Sequence, residues 1–255
     1  MCATPNARFV ERLKRREPLL GTLLSLPSPE IAEVMAGAGF DWLFVDMEHG
    51  LLDFAAAQRM VQAAGSCPCI VRVPAGNAAD IARALDTGAA GIIVPHVNTA
   101  AEARAAVMAA KYPPGGARSI GAARAQGYGR TLGDAIAFGN AETAVVAQVE
   151  HVDGVRNIDE IAALTGVDAI FVGPFDLSAS LGKPGAIADT DVQAAITRVL
   201  GACQRAVKPC GIFLVDAASA RHALAEGHSL VCLATEALIL GRAAADLVYA
   251  TGKGR

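Results

Sequence analysis

Eight times along this chain a short apolar, β-branched run is followed by an Ala-rich stretch with helical spacing, and no other feature restricts the fold as strongly. A strand that is apolar on both faces must be covered by helices, which is the logic of βα units around a parallel sheet. The expected strands are residues 19–25, 42–47, 69–73, 91–95, 144–150, 169–172, 210–215 and 229–233. The helical stretches are 30–38, 54–64, 78–86, 100–110, 155–163, 191–206, 217–226 and 236–249. Gly39, Gly65, Gly88, Gly166 and Gly227 mark junctions, where a helix end or turn takes a positive φ.

Eight such units either close into a barrel or open into a doubly wound sheet. A dinucleotide-binding sheet would place a Gly-rich turn after its first strand, and LPSPE at 26–30 is not one. The expectation is therefore an α/β chain forming one (β/α)8 TIM barrel, with residues 1–255 as a single domain. The stretch 111–129, rich in Gly, Pro and Arg, breaks the rhythm and reads as a long functional loop.

With 53% hydrophobic and 18% charged residues, the chain has apolar surface for a large core, which excludes a disordered or fibrous protein. Only 5% of residues are aromatic, so the core is expected to be aliphatic. A net charge of −3 and singly scattered Arg and Lys give no basic face, so neither nucleic acid nor an anionic membrane is an expected partner. Charges through residues 8–17 interrupt any export signal, and the apolar run 230–240 falls short of the ~20 residues of a membrane span. A cytoplasmic protein is expected. The six cysteines show no framework spacing, and Cys67 and Cys69 lack the second ligand pair that a zinc site needs.

In a (β/α)8 barrel the working residues stand at the C-terminal ends of the strands. Strand two ends in Asp46, Glu48 and His49; strand three in Arg72; strand four in His96; strand five in Gln148, Glu150 and His151; strand six in Gly173, Pro174, Phe175 and Asp176. The ends of strands one, seven and eight are blander. Glu150 and Asp176, on adjacent strands, can share a hard divalent cation, or can simply cap loop amides. Arg72 leaves a strand of Ile and Val, as a fork for an anionic substrate or as the ion-pair partner of a neighbouring acid. His49, following Asp46 and Glu48, is a candidate general base or a loop histidine. His96 and His151, without an acid cluster in sequence, read as loop histidines. None of the five lysines lies on a strand facing a barrel interior, so Schiff-base chemistry is excluded and carbonyl chemistry would need a metal as electron sink.

The stretches FDWLFVDMEHG (40–50), IVRVP (70–74), LDTGAAGIIVP (85–95), YPPGGAR (112–118), QVE (148–150) and VGPFDLS (172–178) together resemble the HpcH/HpaI aldolases, metal-dependent class II pyruvate aldolases. The resemblance implies a reversible cleavage of 4-hydroxy-2-oxo acids to pyruvate or hydroxypyruvate and an aldehyde. It implies Glu150 and Asp176 as ligands of Mg²⁺, Mn²⁺ or Co²⁺. It also implies His49 as the proton acceptor and Arg72 as stabiliser of the enolate; Asp46, at the strand end just before His49, is counted as catalytic from its position. Gln148 and the backbone at Gly173, Pro174, Phe175 and Asp176 would touch substrate. Asp86 matches the acid that raises the basicity of the histidine, yet it falls at the far end of a helix. It would therefore act from a neighbouring chain in a homo-oligomer, typically a hexamer with a swapped terminal helix, and the loop around Arg118 and Ile120 would line a neighbour's site. Two alternatives keep the barrel: a citrate- or malyl-CoA-type lyase, and a non-catalytic oxo-acid-binding protein.

Overall fold

The computed structural model describes residues 4–253. Eight parallel strands close in the order β1 to β8, each hydrogen-bonded to its sequence neighbours and β8 to β1. They are β1 (Leu19–Leu24), β2 (Trp42–Asp46), β3 (Cys69–Arg72), β4 (Gly91–Val94), β5 (Ala144–Val149), β6 (Ala169–Val172), β7 (Cys210–Leu214) and β8 (Leu230–Thr235). The strand expectations hold to within one or two residues. The expected TIM barrel is the fold.

Around the strands lie α1 (Pro5–Lys14), α2 (Pro29–Gly37), α3 (Phe54–Ala63), α4 (Ala78–Asp86), α5 (Ala100–Ala110), α6 (Leu132–Glu142), α7 (Val152–Arg156), α8 (Ile158–Ala162), α9 (Pro174–Ser180), α10 (Thr190–Arg205), α11 (Ala217–Glu226) and α12 (Glu236–Ala250). Side-chain caps start most of them: Ser28, Asp53, Asn77, Asp216 and Thr235 each accept from a backbone N–H in the first turn, and Thr99 with Glu102 forms a reciprocal capping box. The single helix expected over 155–163 is two short ones meeting at Asn157. The loop expected over 111–129 ends in a 3₁₀ turn at Arg124–Gly129, just ahead of α6.

Between strands and helices the core is aliphatic, as expected. Inside the barrel aliphatic side chains still predominate, joined by a few aromatic rings. Trp42 stacks on Phe44 with ring centroids 5.9 Å apart, and Phe171 meets Phe44 edge-on at 5.7 Å. Four of the chain's twelve aromatic residues, Phe9, Trp42, Phe44 and Phe171, lie in this interior cluster. Gly21 on β1 makes room for this cluster: a Cβ there would lie 2.5 Å from the Trp42 indole. The foot of the barrel is closed by α1, whose Phe9, Val10 and Leu13 join the interior cluster. At the opposite end of the chain α12 is exposed over most of its length, including Leu240, Leu247, Val248 and Tyr249.

No helix among the described residues is long and apolar enough to cross a membrane. Cys67, Cys69, Cys203, Cys210 and Cys232 are free thiols. Burial pushes the Cys67 thiol up to about 11, which makes it a poor thiolate ligand.

Candidate active site

Parallel register carries the polar strand ends to one mouth. Asp46 on β2 is the direct cross-strand partner of Arg72 on β3, and Gln148 on β5 is that of Phe171 on β6. Asp46 and Arg72 are both buried. Arg72 donates from Nε to Asp46 Oδ1 at 2.8 Å and from Nη2 to Oδ2 at 2.7 Å, a bidentate fork. Asp46 Oδ1 also accepts from the backbone N–H of Glu48 at 3.0 Å and of His49 at 3.4 Å, so one carboxylate sets the guanidinium and the start of the next loop. The Phe44 ring lies under the guanidinium, 5.1 Å from its Cζ. Desolvation alone would lower the Arg72 pKa; the hydrogen bond and charge of Asp46, with Glu48 and Glu150, outweigh it and hold the pKa raised.

Glu48 and Glu150 come from loops separated by three strand positions, and His96 bridges them. Its Nε2 lies 3.0 Å from Glu48 Oε1 and its Nδ1 3.2 Å from Glu150 Oε1, while its backbone N–H donates to Glu150 Oε1 at 2.8 Å. His96 has φ +55°, a left-handed conformation that a non-glycine residue adopts at a cost of about 1–3 kcal/mol. That backbone turn is what aims both the N–H and the ring at the same acid. One premise of the loop-histidine reading of His96 is corrected: it does have an acid cluster, whose members arrive from the loops after β2 and β5. His151 does keep a structural task, accepting from the Asp153 N–H at 3.2 Å to cap α7.

The donor set suits a divalent cation. One ligand atom from each of Glu48, His96 and Glu150 lies within 4.8 Å of the others. Desolvation raises the Glu48 pKa, Arg72 opposes the rise, and Glu150 reinforces it, so the acids repel each other across a space a cation would neutralise. Gln148 donates from Nε2 to Glu150 Oε2, and its own Oε1 is buried without a partner. Gly173 lets this happen, since a Cβ there would stand 2.6 Å from Glu150 Oε2.

A cavity of about 270 Å³ opens beside these groups, lined by Asp46, His49, Arg72, Gln148, Gly173, Pro174, Phe175 and Asp176 together with Leu23, Ser25, Phe44, Phe171, Phe213 and Thr235. Eight of the ten residues singled out from sequence as catalytic, substrate-binding or metal-ligating therefore line one void, and a ninth, Glu150, touches Gln148 on its wall. His49 is exposed, with Nε2 3.8 Å from Glu48 Oε2. Asp176 sits in the first turn of α9, outside the group formed by Glu48, His96 and Glu150. None of the lysines lines the cavity: Lys111 Nζ donates to the Asn140 carbonyl at 2.9 Å, and Lys208 Nζ to that of Leu164 at 2.9 Å.

Asp86 is the residue that stands apart. It ends α4 at the foot of the barrel, accepting from Arg118 Nη2 at 2.7 Å and from Gln126 Nε2 at 3.3 Å. Arg118 is buried, so within one chain this pair is a fastening of the 112–129 segment. Sequence reasoning also passed over Glu236, which is buried and accepts from the Ser25 and Leu26 N–H groups, both at 2.6 Å, tying β1 to β8 at the mouth.

Residues 20–241 match the family model for HpcH/HpaI aldolase/citrate lyase. A hydroxypyruvate/pyruvate aldolase of Paraburkholderia phytofirmans is 41% identical, over 91% of this chain and 92% of that one. A 4-hydroxy-2-oxovalerate aldolase of Novosphingobium aromaticivorans is 37% identical, over 95% and 94%. The crystal structure of an HpcH/HpaI aldolase/citrate lyase family protein from Burkholderia cenocepacia superposes with a TM-score of 0.93 at 37% identity, covering 96% of this chain and 99% of that one.

Proposed function

The chain belongs to the HpcH/HpaI aldolase/citrate lyase family, and from that premise we propose that it is a metal-dependent carbon–carbon lyase. In this reading it reversibly cleaves 4-hydroxy-2-oxo acids to pyruvate or hydroxypyruvate and an aldehyde. The observation that carries this is the buried Asp46–Arg72 fork facing a cavity that Gln148 and Asp176 share, next to the acids Glu48 and Glu150. A binding protein would have no use for an exposed histidine poised beside that fork.

Glu150 and Asp176 would hold the divalent cation, Mg²⁺, Mn²⁺ or Co²⁺, with Glu48 and His96 beside them. When bound, such a cation draws electron density from the ketone and carboxylate oxygens of a 2-oxo acid. Arg72, with Nε and Nη2 bonded to Asp46 and Nη1 3.0 Å from Glu48 Oε2, has one further N–H on each terminal nitrogen for the oxygen on which charge develops as the C3–C4 bond breaks. His49 takes the 4-hydroxyl proton through a water in cleavage, and the C3 proton of pyruvate in condensation. Gln148 and the backbone from Gly173 to Asp176 orient the oxo acid. A thioester of coenzyme A is the poorer fit, because among the described residues lining the cavity Arg72 is the one arginine or lysine, and Asp46 already engages it.

The chain acts as one domain, and as part of a homo-oligomer. The exposed apolar side chains of α12 support a terminal helix exchanged between copies, as in a hexamer, and Asp86 would serve a neighbour's His49. The buried free thiols fit a reducing cytoplasm. The test is exchange of the C3 protons of pyruvate in D₂O by chelated enzyme to which each metal is restored in turn. Full exchange in rigorously metal-free enzyme, or none with any metal, overturns the reading.

A further inference from the structure

Strand β8 does not run straight into the mouth. Gly21 of β1 pairs with Cys232 of β8, but the next pairing is Leu23 with Thr235, so β8 carries one extra residue. Inside this bulge Ala234 has φ +57°, a left-handed conformation that a non-glycine residue adopts only under constraint. Its carbonyl accepts from Thr22 Oγ1 at 3.3 Å, which fastens the bulge to β1. A bulge beside an active site re-aims the side chains that follow it. Here it leaves Thr235 on the cavity wall and turns Glu236, only 1% exposed, toward the end of β1.

Glu236 Oε1 accepts three hydrogen bonds: from the backbone N–H of Ser25 and of Leu26, both at 2.6 Å, and from Ser25 Oγ at 3.2 Å. Oε2 is buried without a partner. A carboxylate is a costly group to bury in this state, and closing the barrel does not require it. The pairing of β1 with β8 is already complete at Leu23 and Thr235, one position before the carboxylate. What Glu236 adds lies beyond the sheet: it fixes the first two amides of the loop after β1, and Ser25 lines the cavity. In a closed ring of eight strands β1 stands opposite β5, so Ser25 lies across the mouth from Gln148, on the facing wall of the same cavity. Glu236 itself is not on the cavity wall, so it can act only through this loop.

We propose that Glu236 is a positioning residue: through Oε1 it holds the loop after β1 in place, and with it the wall against which the oxo acid is seated. This rests on the lyase reading. The role requires an acceptor atom at the right reach, and neither a charge nor a proton transfer at Glu236.

Three variants separate reach from charge. Glu236→Gln keeps the reach and an acceptor oxygen but loses the charge, Glu236→Asp keeps the charge but is one methylene short, and Glu236→Ala loses both. Each is checked for folding by its melting curve and assayed, with metal restored, for cleavage of 4-hydroxy-2-oxopentanoate. Glu236→Asp and Glu236→Ala are expected to raise KM roughly tenfold with kcat within about threefold of the parent, the pattern of a contact made equally in ground and transition states. Their Mn²⁺ affinity is expected to stay at the parent value, because Glu150 and Asp176 follow β5 and β6. Glu236→Gln is the conservative rescue, with KM within about twofold of the parent. Should Glu236→Ala fail to fold, the comparison of Glu236→Gln with Glu236→Asp carries the test. Parent KM in folded Glu236→Asp, a Glu236→Gln enzyme as impaired as Glu236→Asp, or Mn²⁺ binding that weakens in parallel with KM overturns the proposal. C3 proton exchange of pyruvate by the parent separates the two levels: exchange together with any of those results sinks the positioning role alone, and no exchange with any metal sinks the lyase reading with it.

Discussion

Asp46 and Arg72 are cross-strand partners at the ends of β2 and β3, and both oxygens of the one hydrogen-bond to the guanidinium of the other, at 2.8 and 2.7 Å. The pair is buried, so removing either half exposes the other as an uncompensated charge. Asp46→Ala is expected to lower stability by about 3 kcal/mol, the low end for a broken buried pair, because Glu48 and Glu150 remain near Arg72. Arg72→Lys keeps the charge but loses the planar fork, and is expected to cost roughly 10²–10³ in kcat with a smaller loss of stability. Urea unfolding and steady-state cleavage, measured on both variants, check this; an Arg72→Lys enzyme with parent kcat would remove Arg72 from the chemistry.

Gly173 gives a more surgical test of the metal site. Its φ of −98° suits any residue, so alanine is tolerated by the backbone, but the added Cβ would press on Glu150. Gly173→Ala is therefore expected to fold normally and to bind Mn²⁺ at least about tenfold more weakly, an effect of the size seen when groups that orient metal ligands are disturbed. Mn²⁺ titration by paramagnetic resonance reads this directly. Parent affinity in a folded variant would show that Glu150 does not hold the ion.

The strands and their polar ends are legible in the sequence because both obey local rules: an apolar run must be covered, and the polar residues at its C-terminal end stand at the mouth. His96 is not legible, because its meaning comes from Glu48 and Glu150, 54 residues away in the second case, and from a left-handed backbone that no neighbouring residue announces. The helix α1 is missed for another reason. Phe9, Val10 and Leu13 do lie on one face, but the helix precedes the βα rhythm and packs on the end of the barrel rather than its side. Composition is right that the core is mainly aliphatic, but a low aromatic fraction says nothing about where Trp42, Phe44 and Phe171 gather.

His228 makes stability depend on pH. It is buried beside β8 with Nδ1 unpartnered, and desolvation lowers its pKa to about 4, against 6.5 when unfolded. Below the unfolded value the open chain takes up a proton that the folded chain refuses, so stability is lost as pH falls from 6.5 toward 4. The loss attributable to this residue is about 2 kcal/mol by about pH 5. His228→Phe should remove that part of the slope, seen as a smaller difference between urea midpoints at about pH 7.5 and pH 5. An unchanged difference would mean that the ring is protonated in the folded state.

Asp86 decides whether the active site belongs to one chain or two. Its carboxylate lies at the foot of the barrel on Arg118 and Gln126, whereas His49 stands at the mouth. If Asp86 supports a neighbour's His49, then His49→Ala and Asp86→Ala enzymes, each nearly inactive, should complement when co-expressed. In a randomly mixed closed ring about one quarter of sites would pair an intact His49 with an intact neighbouring Asp86. Differently tagged chains purified through both tags should therefore recover about a quarter of parent activity. Within a single chain every site would lack one of the two residues, so the absence of recovery in a correctly assembled hybrid excludes sharing. Charged substitutions at Leu247 and Tyr249 on α12 provide the converse: they should dissociate the assembly in sedimentation and abolish the complementation along with it.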